Sequence, residues 1–295
     1  MDDIDINPVD SKSEFPKGSD FSQITPEVLE ASKSWGINDY DDISRVYEEA
    51  MGGDIAKIIF PLHKQLIEKE FNLSEKHRFL DVCCGTGSYL RQLSRVVSTD
   101  SELYGLDLSE GQIQVAREKD REGEGVPVQI KYLQGDAVTA LFVPECDVVT
   151  MNLDTMNHLQ RPEDWETVLK KVHDSLKPDG LFLFDINTQK RLEGDLNFPE
   201  VIIKPGLVHM DIGIGSEAMG DFIKQQHLMF AFKTAPDGTI KEYHARIQHI
   251  APSEETLYEM LGAAGFSSTQ PIPISEEIRR KHIFLKNRLF VKARI

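Results

Sequence analysis

With 295 residues and a formal net charge of -16, the chain can bury a full core as one doubly wound domain with additions, and its acidity argues against nucleic acid or an anionic membrane as target, because phosphate binding rests on clustered Lys and Arg. Three cysteines, two adjacent at Cys83 and Cys84, make neither a secretory disulfide framework nor a C-x-x-C zinc pair. No run of about 18 apolar residues occurs and the acidic start lacks a signal-peptide core, so a reducing, cytoplasmic location is expected.

Residues 1–22, rich in Asp, Ser and Pro, read as disordered. Thr25-Pro26-Glu27 opens a helix, with Thr as cap and Pro at the first position, and further helices are predicted over 42–51 and 54–70, separated by Gly52-Gly53. Residues 23–72 thus form a helical cap. From 78 to 187 strand and helix alternate, with strands near 78–82, 102–107, 128–133, 146–151 and 180–186, the pattern of a parallel sheet. Short extended runs follow at 201–204, 226–232 and 242–247, with Pro236-Asp237-Gly238 as a hairpin turn, so 188–250 is expected to be an inserted antiparallel sheet that lids the site. A helix over 253–264 stopped by Gly265, and extended runs at 268–274 and 288–294, return the chain to the main domain, which comprises 73–187 and 251–295.

The run Asp81-Val82-Cys83-Cys84-Gly85-Thr86-Gly87 joins the first strand to a helix carrying Leu90, Leu93 and Val97 at helical spacing. Gly85 and Gly87 open backbone angles closed to other residues and let a ligand approach the main chain. Asp107, at the end of the next strand, is placed to accept both ribose hydroxyls of a nucleoside. The register Gly85-Thr86-Gly87-Ser88-Tyr89-Leu90 puts leucine at the third glycine of a dinucleotide fingerprint, which counts against a nicotinamide oxidoreductase. Asp81 at the loop entrance disfavours a pyrophosphate and suits a cationic sulfonium.

These residues resemble the first motif of the class I S-adenosylmethionine-dependent methyltransferases, E/D-x-G-x-G-x-G, with Cys83 in place of the first glycine. Asp107 corresponds to the second motif, Gln134-Gly135-Asp136-Ala137 to the third, and Leu176 to Phe184 to the post-strand element. Over about residues 38–295 the plan is similar to that of the glycine and amino-sugar N-methyltransferases. The resemblance implies a Rossmann-like α/β methyltransferase fold with a helical cap and an inserted antiparallel sheet, and S-adenosylmethionine as cofactor. Its donor pocket would comprise Tyr40, Asp81, Cys83, Cys84, Gly85, Thr86, Gly87, Asp107, Leu108, Gln112, Gly135, Asp136, Ala137, Asn152 and Leu153.

Methyl transfer is an in-line displacement that asks for few side chains beyond those that hold donor and nucleophile collinear. The segment Thr150 to Leu159 looks like the D-S-x-N-Y/H motif of the small-molecule group. His158 is its candidate base or orienting group, because imidazole titrates near neutrality; a histidine hydrogen-bonded at a helix entrance is the alternative. Asp154 holds a cationic acceptor or the donor's amino group, or else caps the following turn. Asn157 is a candidate substrate contact, although amides such as Asn152 and Asn157 serve more often as backbone organisers. Tyr40 and Tyr47, seven apart on one helical face, are similar to the Y-x-x-x-A-x-x-Y-D-x-x-M opening with Glu48 for aspartate, and a phenol face attracts the sulfonium. On the inserted sheet His244, alternating with Tyr243 and Ala245, is a further substrate contact. No histidine shows metal-ligand spacing, so no metal is expected. The expected function is methylation of a small molecule, an amine nitrogen before a hydroxyl oxygen. A metabolite O-methyltransferase and an inactive donor-binding regulator are the alternatives, and a homodimer is possible; neither nucleic acid nor membrane is expected as partner.

Overall fold

The computed structural model describes residues 25–122, 126–194, 200–282 and 285–295; the stretch expected to be disordered, 1–22, lies outside them. Thr25 caps α1 (Pro26–Ser32) by accepting from the Val28 N–H, with Pro26 in the first turn. α2 (Ser44–Tyr47) runs through a π-helical turn, Glu48–Gly52, into α3 (Gly53–Glu70). The break expected at Gly52-Gly53 is therefore a change of helical pitch and not a gap. A Cβ on Gly53 would stand 2.9 Å from the Glu48 carbonyl oxygen, so glycine lets the wider turn close.

The chain then alternates through β1 (Arg78–Val82), α4 (Ser88–Leu93), β2 (Glu102–Asp107), α5 (Glu110–Glu122), β3 (Ile130–Gln134), β4 (Cys146–Met151), a 3₁₀ turn (Thr155–His158), α6 (Pro162–Ser175) and β5 (Leu176–Asn187). After α7 (Gln189–Glu193), the strands β6 (Glu200–Lys204), β7 (Leu207–Met219), β8 (Phe222–Thr234) and β9 (Ile240–Pro252) form a separate antiparallel sheet in that order. α8 (Glu254–Ala264), β10 (Ser268–Pro271), α9 (Glu276–Lys281) and β11 (Arg288–Arg294) return to the main sheet, whose order is β10-β11-β5-β4-β1-β2-β3. β1 to β5 pair in parallel, while β11 and β10 add antiparallel beyond β5. Strands 1, 2 and 4 begin and end where the apolar runs do. β5 starts earlier than the glycine before its apolar run suggests, pairing Leu176 with Cys146 across a register shift.

At its centre, in β1, β4 and the apolar run of β5, the parallel sheet is buried on both faces, as continuous apolar strands require, while the edge strand β3 exposes Lys131, Leu133 and Gln134. Leu181 and Leu183 of β5 join a core with Phe79, Leu103, Val148 and side chains of α3, α4 and α5, whereas Phe182 and Phe184 face Trp165 and Leu169 of α6 and Leu257 and Leu261 of α8. A third cluster seats the cap on the antiparallel sheet: Ile43, Val46 and Ala50 against Leu207, Met229, Ala231, Ala245 and Ile247. No described helix is long and apolar enough to cross a membrane.

Two amides, the half-buried Asn38 and the buried Asn157, fasten these layers together. Asn38 Nδ2 donates to the His158 and Gln248 carbonyls, both at 3.0 Å, and its Oδ1 accepts from the Gln248 N–H at 2.8 Å. Asn157, fully buried, donates to the Asn187 carbonyl at 3.1 Å and the Ile250 carbonyl at 2.9 Å, and accepts from the Asn187 N–H at 2.8 Å. Asn157→Ala leaves three backbone groups of β5 and β9 without their partner, and we expect it to lower unfolding free energy by about 2–4 kcal/mol in urea denaturation; a loss below about 1 kcal/mol would mean that the layers do not depend on it.

Candidate functional site

Cys83, Gly85 and Gly87 take φ of 58°, 54° and 74°, so the turn after β1 bends through the left-handed region three times in five residues. At Cys83 a side chain accepts the conformation that the motif reserves for glycine, at a cost of roughly 1–2 kcal/mol. At Gly87 a Cβ would strike the Tyr132 ring. What holds the turn is the end of β2. The Cys84 N–H donates to the Leu106 carbonyl at 3.0 Å, and the Asp107 carboxylate accepts from the Gly85 N–H at 2.8 Å and from the Ser109 N–H at 2.9 Å. Burial raises the Asp107 carboxyl above its ordinary value, against these backbone hydrogen bonds. The cap reaches the same turn through Glu48, which accepts from Arg91 at 2.6 Å while Arg91 donates to the Thr86 carbonyl at 2.5 Å.

Asp81 closes the other side, 3% exposed, with Thr150 Oγ1 at 2.6 Å and Asn152 Nδ2 at 3.2 Å on its Oδ1. Burial pushes its carboxyl up to about 7, and the charge of Asp107 adds to the shift.

A cavity of about 280 Å³ opens between this turn and the cap, lined among others by Tyr40, Tyr47, Gly85, Asp107, Leu108, Gln112, Asp136, Ala137, Leu153 and His158. It continues past the turn into about 60 Å³ beside Asp81, Cys84, Thr86 and Asn152. Neither part is lined by Lys or Arg, and Gln112 Oε1 and Asn152 Oδ1 lie buried in them without a hydrogen-bond partner. That lining fits a cationic ligand carrying N–H and O–H donors and rejects a pyrophosphate. A groove of about 800 Å³ between α8, α9 and β11 is larger but holds no residue of the turn.

Behind the wall made by Tyr40, Tyr47, Leu153 and His158 lies a chamber of about 70 Å³, reaching Asp154, Asn187, Arg191, Glu200, Asp211, His227, His249 and Arg288. Those four wall residues line both spaces. Leu153 and Asp154 are both left-handed, with φ of 64° and 52°, and their N–H groups donate to Asp185 at 2.8 and 3.0 Å. Arg288 bridges Asp185 Oδ2 at 2.6 Å and Asp154 Oδ1 at 2.9 Å, and Asn187 donates to Asp154 Oδ2 at 2.6 Å. His158 Nε2 meets the Tyr40 hydroxyl at 3.4 Å and His249 Nε2 at 3.3 Å. Burial pushes His158 down to about 4, so the ring is neutral, and lowers His227 and His249 as well; it raises the phenols of Tyr40 and Tyr47.

Of the residues singled out in the sequence, most line these three spaces. Gly87 and Gly135 line none of them and shape the backbone instead, and Asn157 is a layer pin whose hydrogen bonds are all spent on main chain. His244 is corrected as a substrate contact: it stacks on Trp35 at 4.0 Å between ring centres, on the face of β9 turned away from the chamber. Alternation places Tyr243, Ala245, Ile247 and His249 on the other face, so the residue missed is His249, legible by counting two, four and six onward from Tyr243. His227, Asp211 and Arg288 gave no local signal.

Against known proteins, residues 79–180 match the family model described as a methyltransferase domain. A demethylmenaquinone methyltransferase from Geobacillus kaustophilus (strain HTA426) is 32% identical over 130 residues, 43% of this chain and 53% of that one. The chain thus spans about half the length of the curated relatives it matches. In fold, an S-adenosylmethionine-dependent methyltransferase from Clostridium acetobutylicum ATCC 824 superposes with a TM-score of 0.67 at 18% identity, covering 87% of this chain and 98% of that one. The sugar N-methyltransferase KedS8 from Streptoalloteichus sp ATCC 53650 does so with a TM-score of 0.57 at 17% identity, covering 86% and 92%. Residues 79–180, running from β1 into β5, thus carry a methyltransferase domain, and the parallel sheet around them has the fold of S-adenosylmethionine-dependent methyltransferases.

Proposed function

We propose that the protein transfers a methyl group from S-adenosylmethionine to a small-molecule acceptor, with an amine nitrogen as the preferred nucleophile. The observation that carries this reading is the common wall: Tyr40, Tyr47, Leu153 and His158 touch both the cavity beside the turn and the chamber behind it, so two ligands can meet there. Bound there, S-adenosylmethionine supplies an electrophilic methyl group on a sulfonium. Asp107 would take the ribose hydroxyls, Asp136, Ala137 and Leu108 would flank the adenine, and Asp81 with the turn from Cys83 to Thr86 and Asn152 would hold the positively charged methionine end. The phenol rings of Tyr40 and Tyr47 would attract the cation and exclude water. His158, kept neutral, offers a ring-nitrogen lone pair that accepts a hydrogen bond from the acceptor nitrogen and orients it.

The preference for an amine rests on charge. The chamber is lined by three carboxylates, Asp154, Glu200 and Asp211, against two guanidinium groups, Arg191 and Arg288, which favours an acceptor that arrives as a cation. The fold neighbour KedS8, a sugar N-methyltransferase, and the curated relative, a demethylmenaquinone methyltransferase, both accord with a small acceptor. We place the reaction in the cytoplasm.

Three outcomes are expected. Asp107→Ala removes the ribose acceptor and frees the Gly85 turn, so donor affinity by calorimetry should fall at least about a hundredfold, with circular dichroism showing the variant still folded at the assay temperature; unchanged affinity would remove Asp107 from the site. Because a bound cation favours ionised Asp81, whose carboxyl lies at about 7, donor affinity should weaken as pH drops from about 8 to about 6, by up to about tenfold over that window. Asp81→Asn should lose this slope, and a wild-type profile no steeper than that of the variant would rule the contact out. His158→Ala should slow turnover about a hundredfold or more while the donor still binds; a wild-type rate would exclude it from the acceptor side.

A further inference from the structure

We propose that Asp154, His158 and His249 form a binding site for a divalent transition-metal ion at the entrance of the chamber. One ligand atom of each lies within 4.8 Å of the other two. His158 Nε2 and His249 Nε2 are 3.3 Å apart, and His249 Nε2 is 3.5 Å from Asp154 Oδ2. Two atoms each about 2.1 Å from one tetrahedral ion stand about 3.4 Å apart, so both edges already have the spacing of a shared ion. No sequence pattern announces the set, since 91 residues separate the two histidines and the turn and β9 bring them together.

The surroundings of the carboxylate are those of a metal ligand, while Nδ1 of His158 and of His249 is buried without a hydrogen-bond partner. When two imidazole Nε2 atoms face each other only one can carry the hydrogen, and an ion between them uses both lone pairs. Arg288 occupies Asp154 Oδ1 and leaves Oδ2 toward His249, where Asn187 fixes its direction; such outer hydrogen bonds orient a ligating carboxylate. Arg288 does not forbid a cation beside it, because it is shared between Asp154 and Asp185, and the three together keep one formal negative charge. Two imidazoles and one carboxylate select zinc, cobalt(II) or iron(II) over magnesium or calcium. Three protein ligands leave a position for water or for a heteroatom of the acceptor. The use of that position rests on the reading of the chamber as the acceptor side: with the ion bound, the ion and not the bare imidazole meets the acceptor, which binds it through the lone pair of an uncharged nitrogen or oxygen.

The test is a cobalt(II) titration of the untagged full chain after dialysis against chelator, followed by visible absorption. One equivalent should give the intense ligand-field bands of four- or five-coordinate cobalt, bleached by one equivalent of zinc. His249→Ala should weaken cobalt binding at least tenfold, and His249→Gln, which keeps side-chain volume, should do the same while its thermal melt shows it folded. Absence of the bands in the wild-type protein, or bands undiminished in folded His249→Gln, would overturn the site. Donor affinity, measured in parallel without metal, reports on the methyltransferase reading separately: cobalt binding lost with donor binding intact sinks only the metal site.

Discussion

The site depends on one buried carboxylate that holds two stretches of main chain at once. Asp107 accepts from Gly85 on one side and Ser109 on the other, so the turn after β1 and the start of α5 are set relative to each other by a single side chain. Without that clamp the three left-handed residues of the turn would have only the Cys84 to Leu106 hydrogen bond to hold them against β2. The shape of the nucleoside-sized cavity follows from it, as does the position of Leu153 on the opposite rim, which Asp185 holds from beneath by the same device of a buried carboxylate accepting consecutive main-chain N–H groups.

The charges are sorted by depth. The spaces beside the turn carry carboxylates and no Lys or Arg, whereas the chamber behind mixes Arg191 and Arg288 with three carboxylates. Exposed pairs such as Lys170 with Asp174 contribute little. The buried Arg288 bridge is of another kind: removing one partner strands a charge in a place water does not reach, so it specifies a conformation more than it stabilises one.

The elements that were legible in the sequence are those whose physics is local. The central strands of the parallel sheet announce themselves as apolar runs because both faces are buried, and the glycine turn because its residues must be glycine. β7 escaped notice because Gly213 and Gly215 interrupt its alternation, and the pairing with β8 slips there, with Gly215 at φ 137°. The continuous path from α2 to α3 escaped because Gly52-Gly53 ordinarily ends a helix, and only the packing of the cap on the antiparallel sheet makes a π-helical turn the better solution. In the site, Asp81, Asp107 and His158 were recognisable from their neighbours in the chain. His249, His227 and Arg288 were not, since what makes them chemical is contact with residues on other strands.

The common wall also divides what can change from what cannot. Tyr40, Tyr47, Leu153 and His158 line both the cavity beside the turn and the chamber, so a substitution there reshapes the two spaces at once. Glu200, Asp211, His227 and Met229 touch the chamber alone and sit on the antiparallel sheet. Descendants of this chain can therefore drift toward new chemistry by rewriting one sheet while the other stays still, and the reagent common to all of them would remain untouched by that diversification.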